Sequence, residues 1–434
     1  MVLSPYVKAY PYPDKPGTLL VFSTRKASMC LLPEALFRQL EHGDVPKGAA
    51  QALAKLGVLV ADSTLERDEV FAYLDRVNRS ATDLTVAVIV GMECNFRCAY
   101  CYEGRLKGEQ EMETATAQRL VEFVGERFRP EMRTVTVDFY GGEPLLYTER
   151  VAHISAGLQA FAEERGAKYS FTLVTNGSRL TPSVVQTLVP LGLMGVKVTL
   201  DGPAENHDRY RPFRSGRGSF ATILKNLQAC CDLVPVGLGG TYTRESYRLF
   251  PQLLDHLAAS GLGPDRIAQV HFGPVVQTTD EHAPRGYCNG CVSVNEPWVS
   301  EASVFLRGEA LRRGYRVPRI APTPCMVDLT NAFTVHYDGG LTKCPALIGH
   351  DGFVVGDLWT GFRDYGDLFA LDRLQREAAC RECEYLPLCF GGCRYMQYQR
   401  EGCWDGVDCQ KPFLEATLGA LLLQDARYRV APVT

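Results

Sequence analysis

The sequence predicts an α/β fold: a partial (β/α)6 barrel, preceded by a small α+β unit and followed by a cysteine-rich region. Three observations lead there. Between residues 83 and 285 six apolar β runs alternate with helical segments, the pattern of a parallel sheet with right-handed crossovers. Residues 1–80 instead run strands first and helices afterwards. Beyond residue 286 the chain changes character again, and eight of its 16 cysteines fall between 325 and 409.

In the first unit, "YVKAYPY", "GTLLVFST" and "ASMCLL" read as short strands. "PEALFRQLEHG" opens on Pro and closes on Gly, as helices do. "KGAAQALAKLGVLV" and "RDEVFAYLDRVN" carry helical periodicity. The barrel strands are expected at 84–92, 134–141, 169–176, 195–201, 234–243 and 266–275, separated by helices such as "TATAQRLVEFVGERF" and "FATILKNLQACC". In such a barrel the chemistry gathers where the strands end. Cys94 follows the first strand, "GGEP" (141–144) the second, "TNG" (175–177) the third and "LDG" (200–202) the fourth, so the suggestive residues share one rim.

Composition narrows the function. A net charge of −4 and a pI near 6.1 give no electrostatic footprint for nucleic acid. No run approaches the roughly 18 apolar residues of a membrane span. The first residues, "MVLSPYVKAYPYPDKPG", lack the pattern of a signal peptide, so a cytoplasmic location is expected. In a reducing compartment, clustered cysteines read as metal ligands rather than disulfides. Cys30, Cys230 and Cys231 stand apart from the clusters and read as ordinary buried thiols.

"CNFRCAYC" places Cys94, Cys98 and Cys101 within eight residues. Three thiolates can hold three irons of a [4Fe–4S] cube and leave the fourth open. Zinc, which also accepts three protein ligands at catalytic sites, is the rival. The spacing, Tyr100 and the position after the first strand resemble the signature loop of the radical S-adenosylmethionine (SAM) superfamily. The resemblance implies that the open iron chelates the amino and carboxylate groups of SAM. It also implies that reduction yields methionine and a 5′-deoxyadenosyl radical, which abstracts a hydrogen. By the same resemblance Gly141 and Gly142 allow close backbone approach, Glu143 receives the SAM ammonium, and Tyr100 lies on the adenine side. Thr175 and Asn176 stand where ribose contacts are expected, and Arg211 of "HDRYR" at the SAM carboxylate, which a guanidinium fork suits. Arg209, Arg214 and Arg217 carry no assignment, and Asp201 reads equally as a base or as a ribose or loop ligand.

Downstream, Cys325, Cys344, Cys380, Cys383, Cys389, Cys393 and Cys409 follow an order that resembles the SPASM domain of radical SAM enzymes acting on peptides and proteins, with a zinc ribbon as the rival. The resemblance implies two auxiliary [4Fe–4S] clusters, three in all. Cys325, Cys344 and Cys393 would ligate the first, with Cys291 favoured as fourth ligand over Cys288 or an open position. Cys380, Cys383, Cys389 and Cys409 would ligate the second, and Cys403 is a spare. The strands-then-helices order of residues 1–80 resembles the winged-helix-like RiPP recognition element, which binds the leader of a ribosomally made precursor peptide by β-augmentation. "GTLLVFST" or "ASMCLL" is the expected edge.

The expectation is therefore a leader-binding unit (1–80), a radical SAM barrel (83–285) and a SPASM domain (286–434), closest to geopeptide-type maturases. The expected reaction is an intramolecular thioether or carbon–carbon cross-link in a precursor peptide, driven by a flavodoxin- or ferredoxin-type electron donor, without nucleic acid or membrane. A protein oxidase like the anaerobic sulfatase-maturating enzymes, and a non-catalytic zinc-binding interaction protein, are the alternatives. No catalytic acid or base is legible.

Overall fold

The computed structural model describes residues 1–277 and 289–428. The chain opens with β1 (Val2–Leu3), β2 (Val7–Pro11), β3 (Thr18–Ser23) and β4 (Ser28–Pro33). Helices α1 (Glu34–Glu41) and α2 (Lys47–Lys55), the short β5 (Leu59–Val60), and helices α3 (Ser63–Phe71) and α4 (Tyr73–Arg79) follow. The six β/α units then run β6 (Asp83–Ile89), α5 (Thr114–Arg127), β7 (Thr134–Tyr140), α6 (Thr148–Glu164), β8 (Lys168–Thr175), α7 (Pro182–Leu188), β9 (Leu193–Thr199), α8 (Ala204–Tyr210), α9 (Phe220–Cys230), β10 (Val236–Tyr242), α10 (Phe250–Ala259) and β11 (Ile267–Pro274). After α11 (Pro297–Arg312) come β12 (Ala332–Val335), β13 (Gly340–Thr342), β14 (Gly356–Asp357) and β15 (Gly361–Phe362). The chain ends in α12 (Arg373–Arg376), α13 (Ala378–Arg381), α14 (Leu386–Cys389), α15 (Arg394–Glu401) and α16 (Lys411–Tyr428).

Packing divides the chain into two units. One takes in Met1–Arg79, Arg319–Leu329 and Phe369–Thr434; the other Ser80–Pro318 and Thr330–Leu368. In the first, β2, β3 and β4 form an antiparallel sheet with β3 in the middle. Successive β3 side chains point to opposite faces. Val21 packs with Phe37, Leu40 and Leu53 of α1 and α2, and Leu20 and Phe22 pack with Leu414, Leu418 and Leu422 of α16. Each such buried side chain contributes about 2 kcal/mol.

Three expectations change here. "GTLLVFST" is the central strand, paired on both sides, so it offers no free edge; among the two candidates only "ASMCLL" (β4) lies at a sheet end. The helical reading of 47–60 stops at Lys55, because Gly57 adopts φ +72° and Leu59–Val60 turns outward to pair with Val2–Leu3. The helix expected at 67–78 starts earlier, at Ser63, where Asp62 caps it by accepting from the N–H of Thr64 and Leu65. It also breaks at Ala72 into α3 and α4, with neither Gly nor Pro marking the break.

In the second unit β6 to β11 are parallel neighbours in chain order, so their C-terminal ends form one rim. In β7 Val135, Val137 and Phe139 are fully buried and alternate with half-buried Thr136, Asp138 and Tyr140. The sheet also continues on its other side. β12 pairs parallel with β6, and β13, β14 and β15 follow as antiparallel ribbons, for ten strands in all. No described helix is long and apolar enough to cross a membrane.

Candidate functional site

The loop after β6 carries Cys94, Cys98 and Cys101, and two neighbouring rim segments fix it. Backbone N–H groups of Arg97 and Ala99 donate to the carbonyls of Pro212 and Tyr210, both at 2.9 Å, and the Arg214 N–H donates to the Asn95 carbonyl at 2.9 Å. The rings of Phe96 and Phe213 meet edge to face at 4.9 Å. Part of the arginine-rich run thus braces the cysteine loop. From the other side, Gly142 N–H donates to the Gly91 carbonyl at 3.1 Å and Glu143 N–H to the Glu93 carbonyl at 2.9 Å. A Cβ on Gly142 would sit 2.2 Å from the Glu93 carbonyl oxygen, and one on Gly141 2.5 Å from that of Gly91. The two glycines were expected to admit a ligand; the backbone they admit is the chain's own cysteine loop.

Burial pushes the Cys94 thiol up, and pushes Cys101 up to about 12. These sulfurs ionise at neutral pH when a metal takes the place of the proton. Lys107 Nζ, 3.4 Å from the Phe96 carbonyl, senses all three. Burial works against its charge, yet Cys101, Cys94, Cys98 and Glu103 together raise its pKa. A cation facing three sulfurs suits an anionic cluster, and nothing in the sequence singled out Lys107.

Glu143 is 1% exposed. Its carboxylate accepts from Thr175 Oγ1 at 2.6 Å, Asn176 N–H at 2.7 Å and Leu145 N–H at 3.1 Å, which leaves acceptor capacity on Oε2. Burial raises its pKa, and the donors and Arg211 oppose this. Thr175 and Asn176, expected at a ribose, are engaged within the protein. Asn176 Nδ2 donates to Asn95 Oδ1 at 2.8 Å and lies 4.0 Å from the Cys94 sulfur.

Tyr100, Asp201, Arg211 and Thr241 meet at one point. Arg211 Nη1 donates to the Tyr100 hydroxyl at 2.9 Å, and that hydroxyl donates to Asp201 Oδ2. Asp201 Oδ1 accepts the Thr241 N–H at 2.8 Å, and Thr241 Oγ1 lies 2.6 Å from the Tyr100 oxygen. Both Asp201 oxygens are therefore engaged by the protein itself. Burial opposes the Arg211 charge, but Cys98, Tyr100 and Asp201 outweigh it. Its Nε is buried and finds no hydrogen-bond partner among the described residues. His207, fully buried, holds the Arg211 segment. Asp201 N–H donates to His207 Nδ1 at 3.1 Å, so Nε2 carries the proton and donates to Ser219 Oγ at 3.0 Å, which donates to the Arg211 carbonyl at 2.7 Å. Asp208 accepts from Ser219 N–H and Phe220 N–H at the start of α9. These two positioning residues are the "HD" of "HDRYR", a motif from which the sequence reading assigns only Arg211. A buried carboxylate with spare capacity, and a guanidinium with an unpaired N–H that senses both Cys98 and Glu143, fit the two ends of an amino-acid zwitterion beside the cysteine loop.

The C-terminal cysteines share a local signature with the first loop. The Phe96 N–H donates to the Cys94 sulfur at 3.5 Å, and the backbone N–H two residues on opposes the burial that raises the thiols of Cys101, Cys325, Cys383, Cys389 and Cys393. A thiol is a weak acceptor and a metal-bound thiolate a good one. Cys30, which burial alone raises, has no such donor. The Cys380 thiol, pushed up to about 12 by burial, also senses Cys389, Cys383 and Cys409, so these four form one group. Cys325 senses Cys393. In the other unit, Cys344 faces Tyr102 and Tyr140, and buried Cys291 lies beside Tyr242 at the end of β10. Cys403 is exposed, and Cys288 lies outside the described residues. Among the described residues no three His, Cys, Asp or Glu form a ready single-ion site.

The fold and its rim define a parallel α/β protein with a three-cysteine loop at the strand ends. Residues 88–256 match the radical SAM superfamily. A probable GTP 3′,8-cyclase of Methanopyrus kandleri is 30% identical over 292 residues, 65% of this chain and 88% of that one. The chain belongs to the radical SAM superfamily, whose members bind SAM and a [4Fe–4S] cluster. The mycofactocin maturase MftC of Mycobacterium tuberculosis is 26% identical over 343 residues, 73% of this chain and 79% of that one. Streptococcus suis SuiB shares the fold, with a TM-score of 0.52 at 15% identity, over 94% of this chain and 100% of that one.

Proposed function

We propose that this enzyme is a radical SAM/SPASM peptide maturase that holds three [4Fe–4S] clusters and cross-links a ribosomally made precursor peptide through a thioether or carbon–carbon bond. The observation that carries this reading is the three-cysteine loop after β6, set on the strand-end rim beside the buried Glu143 carboxylate and the Arg211 guanidinium. Cys94, Cys98 and Cys101 hold the first cluster. Cys325, Cys344 and Cys393, with Cys291, hold one auxiliary cluster, and Cys380, Cys383, Cys389 and Cys409 the other. SAM, once reduced by one electron, supplies the 5′-deoxyadenosyl radical that removes a hydrogen atom from the peptide.

The chain's own residues bind and orient. Glu143 takes the SAM ammonium on its spare Oε2 capacity, and Arg211 offers its unpaired Nε–H to the carboxylate. Tyr100, His207 and Asp208 fix the Arg211 segment, and Lys107 offsets the negative charge of the thiolate loop. Closing each cross-link releases one proton and one electron from the peptide, and clusters held by the C-terminal cysteines would supply an acceptor for that electron. Residues 1–80 bind the leader, which adds a strand along β4. A flavodoxin- or ferredoxin-type protein supplies the reducing electron. The geopeptide-type maturases are the proposed subgroup.

Anaerobically reconstituted enzyme should carry about twelve irons with matching sulfide. With reductant, SAM and the precursor peptide it should release 5′-deoxyadenosine and leave the peptide lighter by two hydrogens per link. Changing Cys94, Cys98 and Cys101 to Ala should abolish SAM cleavage and spare about eight irons. Zinc in place of iron, or conversion of a peptide cysteine or serine to formylglycine, would overturn the reading.

A further inference from the structure

Two fully buried arginines accompany Cys325 and Cys393, and only one has a counter-ion. Arg373, 2% exposed, pairs with both oxygens of Asp328 at 2.7 and 2.8 Å. Arg394, 1% exposed, has no carboxylate partner among the described residues. Its Nη2 donates to the carbonyls of Phe369 and, at 3.1 Å, of Trp404. Its Nε and Nη1 have no hydrogen-bond partner there either. The Trp404 ring faces the guanidinium at 5.6 Å, but a buried charge that lacks an opposite charge stays strongly unfavourable. Such a group makes sense where a negative charge completes the surroundings.

The topology says where that charge lies. Cys393 caps α15, whose first residue is Arg394. Cys325 caps the short turn Met326–Asp328, whose last residue holds Arg373. At both thiols burial raises the pKa and backbone N–H groups oppose it. Arg373 and Arg394 against Asp328 leave one net positive charge. The other acid at hand, Asp408, accepts the Cys393 N–H at 3.2 Å and is paired with Arg400 at 2.9 Å.

We propose that the Arg394 guanidinium sets the reduction potential of the cluster that Cys325 and Cys393 help to ligate, raising it so that the cluster accepts an electron. The proposal rests on the ligand assignment above. A thiolate-bound cluster is anionic and gains one further negative charge on one-electron reduction. A fixed positive charge in a low-dielectric interior therefore favours the reduced form. In turnover the electron comes from the substrate-centred radical, which loses a proton as the new bond closes.

The test uses the full chain with Cys94, Cys98 and Cys101 changed to Ala, so that only auxiliary clusters contribute. The reconstituted protein is titrated with dithionite at controlled potential and followed by electron paramagnetic resonance. Cys325→Ala identifies the relevant signal by its loss. Should iron and signal survive that change, the ligand assignment itself fails. With the assignment intact, Arg394→Gln and Arg394→Met should keep the iron. At the wild-type midpoint their reduced-to-oxidised ratio should fall about tenfold, equivalent to about 59 mV for a one-electron couple. Arg394→Lys should stay close to wild type. An unmoved midpoint in the Gln and Met variants at full iron content overturns the proposal. Loss of that cluster's iron in both overturns it as well, because Arg394 would then be structural.

Discussion

The Arg211 guanidinium donates to the Tyr100 hydroxyl at 2.9 Å, across 111 positions of sequence, and keeps its Nε unpaired among the described residues. Tyr100 belongs to the cysteine loop and Arg211 to the segment after α8, so one hydrogen bond ties that loop to the proposed carboxylate clamp. A hydrogen bond to a charged group is worth about 1.5–3 kcal/mol. Arg211→Met should weaken SAM binding by about tenfold or more, measured by equilibrium dialysis on reconstituted enzyme, with the first cluster's iron retained. Tyr100→Phe should weaken it less, because it frees the guanidinium without removing it. Unchanged SAM affinity in Arg211→Met would remove this residue from the site.

Gly142 gives a steric prediction. The Glu93 carbonyl oxygen would lie 2.2 Å from an added Cβ, and the obstacle is backbone that cannot rotate away. Gly142→Ala should displace the loop that begins at Gly91 and lower the iron content by about one cluster, four irons. Gly48→Ala is the control. It lies in α2 with nothing within 4 Å of its Cβ, and it should be neutral or stabilising by up to about 1 kcal/mol. Equal iron in both variants would show that the loop tolerates the shift.

The barrel strands were legible because their apolar runs are short, β-branched and bounded by turn residues, as in "LTVAVIVG" and "VTVDFYGG". The extension of the sheet by β12 was not, since parallel pairing of Ala332–Val335 with β6 joins segments nearly 250 residues apart. A local signal did exist, for "FTVHYDGGLTKC" carries an Asp-Gly turn between alternating residues. In β3, "TLLVFS" is apolar at successive positions. That is the mark of a strand covered on both faces, and it argued for a second layer over the first 80 residues. The place of the first cysteine loop and of "GGE" on one rim could be read from the strand pattern. The convergence of Tyr100, Asp201, Arg211 and Thr241 could not, because it depends on which strand ends lie side by side.

The free edge of the first sheet can be tested apart from the chemistry. β4 pairs with β3 on one side only, and Leu31 on it is 46% exposed. Strand addition draws its affinity from main-chain hydrogen bonds and its selectivity from side chains on the receiving edge. Leu31→Glu should leave folding and SAM cleavage intact and lower leader affinity about tenfold, read by fluorescence anisotropy with a labelled leader peptide. Full affinity in this variant would move the leader to another surface.

Acid sensitivity follows from His336, which is 5% exposed in the turn between β12 and β13. Thr342 Oγ1 donates to the Cys344 carbonyl at 3.1 Å, so it accepts from His336 Nε2 at 3.0 Å, and the buried ring is neutral. Burial lowers its pKa from 6.5 to about 4, against a smaller opposing effect of Asp338. A lowered folded-state pKa means that the unfolded chain takes the proton first as pH falls. The stability tied to neutral His336 is therefore complete above pH 6.5 and is lost progressively as pH falls through about 4. Between pH 7 and pH 5 this amounts to about 2 kcal/mol. His336→Gln keeps a donor for Thr342 and cannot take up a proton, so its urea-unfolding free energy should fall less over that interval by the same amount. Parallel pH profiles for variant and wild type would show that the ring protonates in the folded state as readily as in the unfolded chain.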